Sequence, residues 1–241
     1  KTQLDEVIES YSAEKKKIVN EYKTFKIDTT WQKARIKGLK KLLKLKPKNI
    51  IFADSDDILQ KDRIKFSLNE IRNYDFAVNN CYLFKKKKSK NKIWLRKKRE
   101  VIKFNQIKYK NFVGCSNTIV RAKSIKKIID MINVDLTAFD WCMATLLLIK
   151  KFKGIYTSKP LTYYRQYQQN TSSLIKISRK KIAKDIKCKI EHFRYFEKFG
   201  IDYKKNILDL ENKYKKIDDK KLFSRIKKKF KLKNQYWWSA I

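Results

Sequence analysis

The sequence predicts an α/β fold: a mainly parallel sheet flanked by helices, followed by a helical C-terminal appendage. Three observations carry that prediction. Helical and strand periodicities alternate through the first two thirds of the chain, as they do where strands are joined by crossover helices. One segment, "NIIFAD" at 49–54, is a compact apolar run of the kind buried on both faces of a parallel sheet. From residue 178 onward only helical periodicity remains. An apolar content of 42%, with 13% aromatic, lets a 241-residue chain bury a core and excludes a disordered polycation.

The elements follow in order. Leu4, Val7, Ile8 and Tyr11 fall at helical spacing over 2–11, and "KKIVNEYKTF" (16–25) reads as a short strand. "WQKARIKGLKKLLKLK" places Ala34, Leu39, Leu42 and Leu43 on one helical face, and Pro47 stops it. "KDRIKFSLNEIR" reads as a helix, "FAVNNCYLF" as a strand and the basic run 85–100 as a hairpin or loop. "NTIV" is a short strand, "AKSIKKIIDMI" and "DWCMATLLLIKKF" are helices, and a strand around Pro160 leads into a polar loop. Helices over 178–199 and 203–217 precede a basic, aromatic tail. The expected division is 1–175 for the α/β domain and 176–241 for a basic helical extension. The chain opens on Lys1, already in helical periodicity, so further sequence, including a first strand, is expected upstream.

Charge is the most unusual feature: 62 Lys+Arg against 24 Asp+Glu, a net +38. It has two readings. One is an anionic partner such as phosphate, nucleic acid or anionic lipid. The other is AT-rich codon usage, consistent with abundant Lys, Ile and Asn and with 4 Gly and 2 Pro. The longest plain apolar run, "MATLLLI" at 143–149, falls far short of the ~20 residues of a span. A cytoplasmic location follows as an expectation. The tail, with Trp237 and Trp238 among lysines, suits either a peripheral seat on the inner membrane face or a helix packed on the domain with a solvated basic face. Cys81, Cys115, Cys142 and Cys188 lack CxxC spacing, which speaks against zinc ribbons and for buried, reduced thiols. His192 is the only histidine, and no nucleophile motif accompanies it.

In so basic a chain, Asp54, Asp56 and Asp57 crowd the end of the "NIIFAD" strand. In open α/β sheets ligands bind beyond the carboxyl ends of strands. Asp54 and Asp56, at i and i+2 in an extended loop, can face one cation, and Mg²⁺ or Mn²⁺ takes carboxylate, phosphate and water oxygens. The other reading is a helix cap, with Asp56 or Asp57 capping the helix after Lys61.

The strand ending in "DSDD" resembles the Asp-X-Asp motif of the family 2 glycosyltransferases, which have the GT-A fold. Three further stretches agree in order and spacing over residues 2–175. "ARIKGLKKL" (34–42) resembles the Ala-Arg-Asn-x-Gly helix start, and "FVGCSNTIVRAKSI" (112–125) the segment before the acceptor side. "TAFDWCMATLLL" and "KPLTYYRQYQQNTSS" resemble the Asp-Trp helix and the Tyr-Arg-Gln-His loop.

The resemblance implies metal-dependent, inverting transfer from a nucleotide-diphosphate sugar to a glycan, lipid-linked or protein acceptor. Asp54 and Asp56 would hold Mn²⁺ or Mg²⁺. Arg35, Asp57 and Arg165 would join them at the donor, and Asp140 would be the base. Trp141 would lie under the acceptor or in the core. Asn117, assigned to the acceptor, and Asn170 also suit turn and packing roles. Tyr167 stands where the family's loop histidine is expected, so the metal would lean on Asp56, phosphate and water. The strand that seats the base offers only Asn20 or Glu21, which leaves UDP and GDP equal. No Gln-x-x-Arg-Trp motif is present, so transfer is expected to be non-processive. Two rival readings remain: a binding protein for nucleic acid or anionic surfaces through 85–99 and 226–233, and an inactive glycosyltransferase-like binding module.

Overall fold

The computed structural model describes residues 29–84, 92–95, 97–167 and 178–231. The expected helix at 2–11, the strand at 16–25, residues 85–91 and 96 of the basic segment 85–100, Asn170 and the tail with Trp237 and Trp238 lie outside the described residues.

The first described element is α1 (Trp31–Lys44). Thr30 caps it, its side chain accepting from Lys33 N at 3.4 Å, and Leu39 is its buried anchor. Lys46 turns the chain through φ +52° just before Pro47, ending the helix where the sequence puts its stop. Then come β1 (Asn49–Ile51), β2 (Ile58–Leu59), α2 (Arg63–Glu70), β3 (Phe76–Phe84), β4 (Lys92–Ile93), β5 (Glu100–Ile102) and the single turn α3 (Phe104–Ile107). A 3-10 turn at Cys115–Asn117 leads into β6 (Thr118–Arg121), α4 (Ala122–Ile128), α5 (Phe139–Ile149) and β7 (Gly154–Arg165). The described chain closes with α6 (Arg179–Glu197), α7 (Lys204–Lys215) and α8 (Lys220–Lys231).

The sheet is mixed rather than mainly parallel. Its order is β1-β6-β3-β7-β2, with β4 on β3 and β5 on β7. Among the described residues only β3 and β7 run parallel; the other pairings are antiparallel. The reason is topological. Along the main path no two neighbouring strands are consecutive in sequence, so helix–strand alternation along the chain does not set their relative directions. β1 likewise departs from the expected strand buried on both faces of a parallel sheet: among the described residues β6 is its one partner, antiparallel, and only Ile50 of its three residues is buried.

The β3–β7 pair is the spine. Phe76 stands opposite Gly154, where a Cβ would come within 2.2 Å of the Phe76 ring, so only glycine fits. Further along, the register shifts around Asn80 and Pro160. Proline donates no ladder bond. Asn80 spans the irregularity with its own amide, donating to Leu95 O (2.7 Å) and Ser158 O (3.3 Å) and accepting from Cys81 N (2.8 Å).

The core lies between the sheet and α5, whose residues Phe139 and Trp141–Leu147 are all buried. Residues of α6, α7 and α8, including Ile186, Phe193, Phe196, Leu210 and Ile226, belong to the same apolar cluster. Leu222 and Phe223 pack against it too. The apolar face of α8 is therefore occupied by protein, while Lys220, Lys221, Lys227 and Lys228 are exposed. This packing covers residues 220–228 alone; the tail with Trp237 and Trp238, on which the two tail readings turn, lies outside the described residues. No helix among the described residues is long and apolar enough to cross a membrane. All four cysteines are buried and free. His192 is buried, stacked on Trp141 at 3.8 Å, and burial drives its pKa well down, leaving a neutral ring.

Candidate active site

The chain leaves β1 through a tight turn, with Asp57 N donating to Asp54 O at 3.1 Å. Each acid of the turn has its own partner, which offsets the mutual repulsion of three carboxylates in one turn. The Asp54 carboxylate is salt-bridged to Arg35 of α1, and Asp54 N donates to Ser116 Oγ at 2.8 Å. The Arg35 guanidinium also lies over the Trp31 and Phe139 rings, 4.8 and 5.8 Å from their centroids. Asp56 accepts from the Tyr167 hydroxyl at 2.8 Å, and its carbonyl accepts from Arg165 Nε at 2.7 Å. Asp57 Oδ1 accepts from Arg165 N at 2.9 Å.

Burial pushes the Asp57 carboxyl up to about 7 against the Arg165 N–H and the Ser116 hydroxyl, with Asp56 and Asp54 adding to the rise. The capping alternative does not hold. The residue before α2 is Asp62, and Asp56 and Asp57 are spent on Tyr167 and Arg165.

Asp140 sits in the first turn of α5, where the helix dipole favours a negative charge. Its Oδ1 accepts from Trp141 N (2.7 Å) and from Asn111 Nδ2 (3.3 Å). It lies deep in packed surroundings while keeping partial exposure. Burial raises its pKa to about 7, opposed mainly by the Arg35 charge and the Trp141 N–H, with Asp54 adding a smaller rise. Arg35 thus stands between two carboxylates, paired to Asp54 and felt by Asp140. The elements meet because β1, β7, α1 and α5 all end or begin at this rim of the sheet.

Trp141 and Asn117 are placed inside. Trp141 is fully buried, its indole Nε1 donating to Ile107 O at 2.7 Å. Asn117 is 1% exposed; it donates to Asn79 O (2.8 Å) and accepts from Gly114 N (2.8 Å), fixing the turn before β6. Neither side chain presents a surface to an acceptor in this structure. Arg165 serves the acid turn through Asp56 and Asp57 and lies over the Phe84 ring at 4.9 Å.

Three residues of the site escaped the sequence. Arg63 is fully buried under the turn. It donates to Ser116 O, to Thr162 Oγ1 (3.0 Å) and to Phe52 O (3.3 Å), and burial lowers its pKa to about 10. Ser116 in turn holds Asp54 N, and Asn111 holds Asp140. An arginine in a chain whose basic residues are mostly lysine was the available signal for Arg63, since a fork of donors suits several carbonyls at once. Ser116 and Asn111 carried none.

Among the described residues no group of three His, Cys, Asp or Glu side chains converges as a metal site. Asp54 and Asp56 provide at most a partial donor set, short of the roughly six oxygens a hard divalent cation takes. The chemistry of two carboxylates suits a hard cation whose other ligands would be phosphate and water oxygens.

No protein-family model and no curated protein matches the chain. It is similar to two solved structures of S. aureus TarS residues 1–349. The complex with UDP-GlcNAc is 17% identical with a TM-score of 0.48, covering 78% of this chain and 54% of that one. The complex with UDP is 15% identical with a TM-score of 0.45, covering 81% and 60%. The chain thus spans less than two thirds of the TarS chain it resembles, and at this level of likeness no residue role passes from one to the other.

Proposed function

We propose that the chain is an inverting, non-processive glycosyltransferase. It moves a sugar from a nucleotide-diphosphate sugar to a hydroxyl of a glycan, lipid-linked or protein acceptor, in surface glycan or glycoconjugate synthesis at the cytoplasmic side of the membrane. The observation that carries the reading is the meeting of Asp140 and the Asp54–Asp57 turn across Arg35 at one rim of the sheet. The order of four motifs in the sequence supports it independently.

In this reading the roles divide by environment. Asp140, raised toward 7 by burial, takes the proton of the acceptor hydroxyl. The acceptor oxygen forms a bond to the anomeric carbon as the bond to the diphosphate breaks, and the nucleoside diphosphate leaves with the electron pair. Arg35 offers a fork of donors suited to diphosphate oxygens once Asp54 shares it. Asp54 and Asp56, with phosphate and water, would hold Mn²⁺ or Mg²⁺, which supplies Lewis-acid neutralisation of the leaving group when bound. Asp57 and Arg165 keep the turn in shape beneath the donor. Asn117 and Trp141 support the acceptor side from within.

Transfer from a nucleotide sugar should rise with pH up to about 7 and level off above it, because the base must be deprotonated. Asp140→Asn should lower turnover by roughly 10²–10⁴-fold with nucleotide affinity unchanged. An Asp140→Asn protein of wild-type turnover would remove Asp140 from the chemistry.

A further inference from the structure

At the opposite end of β1 from the acid turn lies an open cleft of about 910 Å³, bordered by α2 and the starts and ends of other elements. Cations reach it from five separate stretches of chain: Lys48 before β1, Lys65 on α2, Arg72 after α2, Arg121 at the end of β6 and Lys159 in β7. The fold brings them together through its register, which sets Arg121 opposite Asn49.

Arg121 is fixed by three carbonyls, donating to Tyr74 O (2.7 Å), Ile71 O (2.9 Å) and Arg72 O (2.6 Å). This holds the backbone from which Arg72 projects. Lys159 lies over the Phe66 ring, 4.6 Å from its centroid. Asp62 is the one acid on the lining. Among the described residues none of the five cations forms an ion pair, whereas Arg35, Arg99 and Arg194 elsewhere each hold a carboxylate.

Five cations without a carboxylate partner in one concavity repel one another, and an anion bound among them relieves that repulsion. Codon usage explains many lysines but not their convergence from positions 48 to 159 on a single cleft. We infer that this cleft is a second binding site, separate from the acid rim, for a phosphate-bearing ligand: a phosphorylated small molecule or the phosphates of an anionic polymer.

The test is calorimetry of the full chain with inorganic tripolyphosphate and long-chain polyphosphate. Wild type is compared with Lys65→Ala/Lys159→Ala and with the charge-matched control Lys204→Ala/Lys205→Ala at the exposed start of α7. The site predicts saturable binding that weakens with salt, falls at least about tenfold in the first pair and stays within about twofold in the control. Tighter binding per phosphate for the long chain assigns the site to a polymer, and equal binding assigns it to a small ligand; both support the site. Unsaturable binding, or equal losses in the two pairs, would show only the diffuse field of a polycation and overturn the inference. So would displacement of the probe by UDP that is as complete in Lys65→Ala/Lys159→Ala as in wild type, which would put the probe at the acid rim.

Discussion

Asp140 shows how one residue's surroundings serve the site at a cost to stability. Its folded pKa of about 7 lies above the ordinary 3.8. Between those values the folded protein holds a proton that the unfolded chain has lost, so stability falls as pH rises through that window. Asp140→Asn removes its share of the fall and leaves that of Asp57, which is also raised to about 7. At pH 8 it should stabilise the protein by about 2 kcal/mol, roughly half of what three pKa units are worth, because the carboxyl keeps partial exposure. At pH 4 the gain should vanish. Thermal melts at the two pH values check this; equal shifts at both would mean that packing, and not charge burial, decides the effect. Asp54, Asp56 and Asp57 were legible as a group because acids stand out in a lysine-rich chain, and Asp140 through the resemblance of its Asp-Trp helix start. Their partners were less so. That Asp54 pairs with Arg35 depends on the placement of α1, and that Trp141 is inside depends on α6 supplying His192 to stack on it; neither is a local property of the sequence.

At the scale of elements, the periodic segments among the described residues formed where periodicity indicated. α1, α5, α6 and β3 lie within a few residues of the sequence reading, because long amphipathic or apolar runs have few alternatives. Sheet order and direction were not legible, since the main path joins strands distant in sequence. The β3–β7 pair gives the sharpest test of the observed register. Gly154→Ala pushes a methyl into the buried Phe76 ring and should destabilise by about 1–3 kcal/mol, lowering the melting temperature by about 5 °C. Phe76→Leu in the same background should recover part of the loss by vacating the ring. An unchanged melting temperature for Gly154→Ala would contradict the register.

For the whole molecule, the sequence suggested a catalytic domain with a helical extension, and the structure joins them through one apolar cluster running from β1 and β3 to α8. Calorimetric unfolding should therefore give one transition for sheet and C-terminal helices together, and Ile226→Asp in α8 should lower that single transition. Two resolved transitions would contradict a shared core. The surface carries charge far from neutral, so its binding properties need charge-matched controls at every step.

The central claim is that the acid rim is a nucleotide-diphosphate site, and calorimetry of UDP and GDP with and without Mn²⁺ tests it most directly, on the wild-type chain and on Asp56→Ala. The account predicts binding of one of the two nucleotides that strengthens with Mn²⁺ and loses that strengthening in Asp56→Ala. Metal-dependent binding that survives Asp56→Ala unchanged, or no binding of either nucleotide, would contradict it.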